Sequence, residues 1–159
     1  MTPEKLFQKL QPLFRQLRVP DMQMNPHGYY SLTLETGEVY LEKTELNTLI
    51  MIAFLPMPEN PGEEMLLELL QANLTPDQES IITIAADKEE NKLVLWGGLK
   101  EEEIYLEKMM MMLEKINITL AVISRWFNKL LEEDDNKKGE LEKTKFQSNQ
   151  TEQFLNQRK

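Results

Sequence analysis

The sequence predicts an α+β fold in the order α-β-β-β-α-β-β-α, an antiparallel, twisted sheet packed with helices. Three observations predict it. An amphipathic N-terminal stretch precedes three short apolar or alternating runs separated by turn residues. A second apolar helical stretch precedes two more such runs. A long segment of helical periodicity then closes the ordered part of the chain. The expected division is one domain over residues 1–133 and a polar, flexible tail over 134–159.

In the first element Thr2 is placed to cap a helix with Pro3 in its first turn, where a missing N–H costs nothing. Leu6, Phe7, Leu10, Leu13, Phe14 and Leu17 follow at helical spacing on one face, and Pro20 is expected to stop the helix. The Asn25, Pro26, His27, Gly28 stretch is a turn. Residues 29–35 alternate, with Tyr30, Leu32 and Leu34 on one face. After a tight connection, residues 39–43 return with Val39 and Leu41 opposite Tyr40. Residues 48–55 are uniformly apolar, as in a central strand covered on both faces. Three strands in succession imply a meander.

Residues 63–74, EEMLLELLQANL, form a short helix with too few polar positions. Glu63, Glu64 and Glu68 suit its positive end. Met65, Leu66 and Leu69 are read as pointing one way and Leu67, Leu70 and Leu74 another, so the helix needs cover on two sides, from a larger core or a second subunit. Thr75, Pro76 and Asp77 mark a break. Residues 79–86 and 92–96 read as a hairpin around Lys88, Glu89, Glu90 and Asn91, closed by Gly97 and Gly98. Trp96 is read as packed at a sheet edge, with an exposed ligand platform as the alternative.

The last helix is expected over residues 100–133, with Glu101, Glu102 and Glu103 at its start and a small break near Asn117, Ile118 and Thr119, where β-branched side chains lose rotamer freedom. Met109, Met110, Met111 and Met112 place adaptable side chains on more than one face. From Asp134 the pattern dissolves, and only Leu141, Phe146, Phe154 and Leu155 are apolar anchors.

The chemistry of the chain is narrow. It has no cysteine and one histidine, His27, in a turn. This excludes disulfides and thiolate chemistry and fits a reducing compartment. No ligand spacing suggests a metal, no glycine-rich loop suggests a nucleotide, and no cofactor is expected. Paired carboxylates such as Glu63/Glu64 and Glu89/Glu90 cluster in turns and first helical turns, where solvation and the helix dipole account for them. The net charge is −9, and residues 21–132 carry 20 acidic against 8 basic side chains. An acidic body repels nucleic acid and anionic membrane. No stretch is apolar for long enough to span a bilayer, so the expected location is the cytoplasm. Apolar surface in excess, on an acidic and cysteine-free chain, suits a non-catalytic protein that binds other protein.

The element order, the MLLELLQANL segment at 65–74, the KLVLWGGL segment at 92–99, and a last helix carrying the aromatic pair Trp126 and Phe127 together resemble the class I type III secretion chaperone family. The resemblance covers residues 3–132. It implies a homodimer built around the second helix, with dimer residues Met65, Leu66, Leu69, Leu70, Leu74, Ile82 and Ile84. It also implies that a bacterial type III secretion effector binds in apolar grooves of the first helix and sheet, with contacts from Phe7, Leu10, Phe14, Leu32, Leu34 and Leu41. Strand addition to an exposed edge belongs to that mode. The chaperone would keep the client secretion-competent and deliver it to the export machinery, with the export ATPase as a further partner. The alternatives are a regulatory adaptor of the same fold and a small carboxylate-dependent enzyme.

Overall fold

A computed structural model describes residues 1–74 and 82–156, with side chains through residue 147. The described residues fall into two compact units, divided between Val122 and Ile123. The elements are α1 (Pro3–Gln16), β1 (Tyr29–Leu34), β2 (Gly37–Lys43), β3 (Leu49–Pro56), α2 (Glu63–Gln71), β4 (Thr83–Asp87), β5 (Lys92–Leu99) and α3 (Leu106–Asn156). Short 3-10 turns at Ala72–Leu74 and Glu101–Glu103 follow α2 and β5. The break expected at Thr75, Pro76 and Asp77, and the first residues of the strand expected over 79–86, lie outside the described residues.

In the first unit, α1 starts where the sequence places it: Thr2 Oγ1 accepts from the Lys5 N–H at 3.3 Å. It ends before Pro20. Arg18 takes a left-handed φ of 61°, the Val19 N–H reaches the Phe14 carbonyl and the Arg18 N–H the Arg15 carbonyl. This closing pattern satisfies the orphan carbonyls of the last turn. Lys5 Nζ lies 2.6 Å from Glu101 Oε1, and Lys9 Nζ donates to the Glu101 carbonyl at 2.9 Å. The Lys5 ammonium holds the Glu101 carboxyl below its ordinary value of 4.5.

The sheet order is β1-β2-β3-β5-β4, and every pairing is antiparallel. The meander is present, and β5 enters between β3 and β4. This puts β3 at the centre and leaves β1 and β4 as the edges. On the inner face Tyr30, Leu32, Val39, Leu41, Leu49, Met51, Ala53, Leu93, Leu95 and Leu99 are buried. The Tyr30 ring meets Phe14 of α1 at 5.2 Å and Phe7 at 6.4 Å between centroids, and burial pushes the Tyr30 phenol up.

Gly97 marks the close approach of α3 to that face. A Cβ built there would lie 2.9 Å from Ile82 Cδ1 and 3.1 Å from Met112 Cε. Gly97→Val is therefore expected to lower the unfolding free energy by about 1–3 kcal/mol, the usual cost of overpacking. Urea denaturation checks this, and an unchanged midpoint would contradict the packing.

α3 begins later than expected. The Glu101–Glu103 turn, in which the Lys100 N–H donates to Glu103 Oε2 at 3.0 Å, precedes it, and Ile104 leaves helical geometry with ψ 82°. The break expected near Asn117 is absent. Thr119 Oγ1 donates to the Lys115 carbonyl at 2.7 Å, and the Thr36 hydroxyl donates to Asn117 Oδ1. Both bonds are compatible with a continuous helix at these weak helix formers.

In the second unit α3 continues to Asn156, with the Trp126 and Phe127 rings 5.7 Å apart. Opposite charges four residues apart, Glu133 with Lys137 and Asp134 with Lys138, suit a solvated helix. No helix among the described residues is long and apolar enough to cross a membrane.

Candidate protein-binding surfaces

The alternation of a strand sends the neighbours of the core residues to the other side of the sheet. There they are largely apolar. Cross-strand register sets Tyr40, Ile52, Trp96 and Thr83 in one row and Phe54, Val94 and Ala85 in another. Phe54 is 41% and Trp96 37% exposed, with Tyr29, Tyr40, Ile50, Ile52 and Val94 half-buried.

The rings form a chain across three strands: His27 and Tyr29 at 6.5 Å, Tyr29 and Tyr40 at 5.3 Å, Tyr40 and Phe54 at 5.7 Å. Lys92 Nζ stands 5.7 Å from the Phe54 ring centre and pairs with Glu90. The Tyr40 hydroxyl donates to Glu38 Oε2 at 2.6 Å, which raises the Tyr40 phenol above its ordinary value of 10.0 and keeps it protonated. Glu38 and Glu42 flank Tyr40 on the same face of β2 and are exposed. The result is an aromatic band with carboxylates beside it, suited to an apolar segment that also carries positive charge.

The residues expected to line a groove lie mostly elsewhere. Leu10, Phe14, Leu32 and Leu41 are buried within the chain. This corrects their assignment to a client groove. The space between α1 and the sheet is filled by these side chains themselves, so they form core and are out of a partner's reach. Phe7 and Leu34, half-buried, remain accessible at its rim. The surface that sequence reasoning missed has the opposite strand parity. Its signal was present in β3, LIMIAFLP, which is apolar at both parities. That run was read as covered on both sides, yet within the chain Phe54 faces solvent. Trp96 likewise belongs to an interior strand of the sheet, not to an edge, and is partly exposed.

α2 carries the second apolar surface. Met65 and Leu69 are buried within the chain, as is Ile84, and Ile82 is half-buried. Leu67, Leu70 and Leu74 are 57%, 60% and 77% exposed. Leu66 is exposed with them, which corrects its grouping with Met65 and Leu69. At about 100° per residue Leu66 sits ~40° from Leu70 and ~60° from Leu69, and the outward stripe takes it. Leu66, Leu67 and Leu70 of α2, with Leu74 in the turn after it, make an exposed apolar stripe and a candidate interaction surface.

A model of the Tir chaperone protein (CesT) family matches residues 8–117, more than half of the chain. Among solved structures, the chain is similar to the Yersinia pestis type III secretion chaperone SycH, solved in complex with a stable fragment of YscM2. The identity is 18% over 72% of this chain and 96% of that one, with a TM-score of 0.62. It is also similar to a chain of the HopA1–SchA chaperone–effector complex, at 16% identity over 76% of this chain and 97% of that one, with a TM-score of 0.57. At these identities the likeness is one of fold. No match is found among curated proteins.

Proposed function

The chain belongs to the Tir chaperone protein (CesT) family, and from that premise we propose that it is a type III secretion chaperone that binds an effector polypeptide and keeps it competent for export. The observation that carries this reading is the exposed aromatic band on the sheet face opposite the core, with Tyr29, Tyr40, Phe54 and Trp96 as anchors. An apolar segment of an effector's N-terminal region, held on this face, is kept from folding on itself and from aggregating. The acidic side chains beside the band favour a basic client and discourage nucleic acid. The work is binding, with no covalent step.

The chaperone acts in the bacterial cytoplasm as a homodimer joined through Leu66, Leu67 and Leu70 of α2 and Leu74 of the turn that follows it. The export ATPase is a further partner, meeting the loaded complex. Purification of the chain from its native host under mild conditions is expected to bring down a secreted effector in stoichiometric amount, identified by mass spectrometry. Recovery of the chain alone, with no bound polypeptide in secretion-inducing conditions, would refute this reading.

A further inference from the structure

The two edges of the sheet differ. In β4 the Ile84 N–H donates to Asn73 Oδ1 at 2.8 Å, and Asn73 Nδ2 donates to the Ile84 carbonyl at 2.9 Å. Both backbone groups of Ile84 are thereby shown to point away from β5, and by strand alternation those of Ala86 point the same way. Asn73 stands in the 3-10 turn after α2. Its carboxamide presents one acceptor and one donor to an edge residue, as the backbone of a neighbouring strand would.

At the other edge, Tyr29 points outward and is taken by Asn25, whose N–H donates to the Tyr29 carbonyl at 2.8 Å and whose side chain accepts from the Tyr29 N–H at 3.3 Å. By the same alternation Ser31 and Thr33 face outward, and among the described residues no other element hydrogen-bonds their backbone. The five-residue β4 has two outward positions, Ile84 and Ala86, so blocking Ile84 halves the template that this edge offers.

We infer that Asn73 is the guard of the β4 edge: its side chain replaces a neighbouring strand at Ile84, prevents β4 from pairing with β4 of a second copy, and confines strand addition to β1. In its last clause this rests on the function proposed above. The guard also has a positioning role, because the same two bonds tie the end of α2 to the sheet and so orient the leucine stripe.

The test is amide hydrogen exchange with sedimentation velocity on the full chain. Asn73→Ala is expected to speed exchange at Ile84 by at least tenfold while Ala85, whose N–H faces β5, stays protected. It is also expected to produce species larger than the wild-type assembly, suppressed by Ala86→Pro, which removes an outward N–H without touching α2. Asn73→Asp, which keeps the acceptor and loses the donor, is expected to leave Ile84 protected and to associate less than Asn73→Ala; it serves if the alanine variant does not fold. Unchanged exchange at Ile84 in Asn73→Ala, or larger species that persist with Ala86→Pro, would overturn the guard. If no effector binds the wild type while Ile84 still answers to Asn73, the guard stands and the chaperone reading falls.

Discussion

Phe54→Asp combined with Trp96→Asp is expected to abolish effector capture while leaving the fold intact. Each aromatic anchor at the centre of an interface is worth about 2 kcal/mol or more, so losing both weakens binding by roughly 1,000-fold, at ~1.4 kcal/mol per tenfold. Stability should move little. Both side chains are more than a third exposed in the isolated chain, and an unfavourable residue in a strand costs about 1 kcal/mol. Co-expression with the effector followed by pull-down reads the first effect, and the thermal unfolding midpoint reads the second. Phe14→Asp is the contrasting substitution. Phe14 is fully buried beside Tyr30, and an unpaired carboxylate there should unfold the protein. Capture at wild-type strength by the Phe54 and Trp96 variant would remove the outer face from the site.

Leu66→Asp with Leu70→Asp is expected to turn a homodimer into a monomer. A two-fold interface meets each substituted position twice, so four leucine side chains leave it per dimer. At ~1.5–3 kcal/mol each, dissociation should rise by four orders of magnitude or more. The monomer should remain folded, because the inward residues Met65 and Leu69 are untouched and already buried within one chain. Sedimentation velocity at micromolar concentration distinguishes the two masses, and a dimer-sized variant would move the interface away from α2. Met65→Asp is expected to behave differently, unfolding the helix before it separates subunits.

The extent to which the sequence was legible differs from element to element. Turn chemistry and periodicity located α1, the meander, α2 and the β4–β5 hairpin, because Gly, Pro and Asn punctuate the chain where the backbone must reverse. The excess of leucines on α2 pointed to two covers, and the structure shows one internal cover and one bare stripe. The groove was less legible. Alternation divides a strand into two sets of residues, and when both sets are apolar, as in β3, nothing local tells which set meets the helices. Alternation sets Leu32 and Leu41 on the more apolar face of β1 and β2, and they are buried there; the groove role came from the family resemblance, and Tyr40 and Phe54 were passed over.

What the sequence by itself determined is the order and type of the elements, the acidic and cysteine-free composition, and the oversupply of apolar side chains. These follow from local propensity and composition, which need no neighbours. The tertiary structure alone decided the insertion of β5 between β3 and β4, the burial of Leu10 and Phe14 in place of a groove, and the alignment of Tyr29, Tyr40 and Phe54 into one band. It also decided the docking of Asn73 on Ile84. Each of these depends on which face of the sheet the helices cover and on pairings between distant residues. That choice is set by the sum of long-range packing, to which no single stretch of sequence holds the answer.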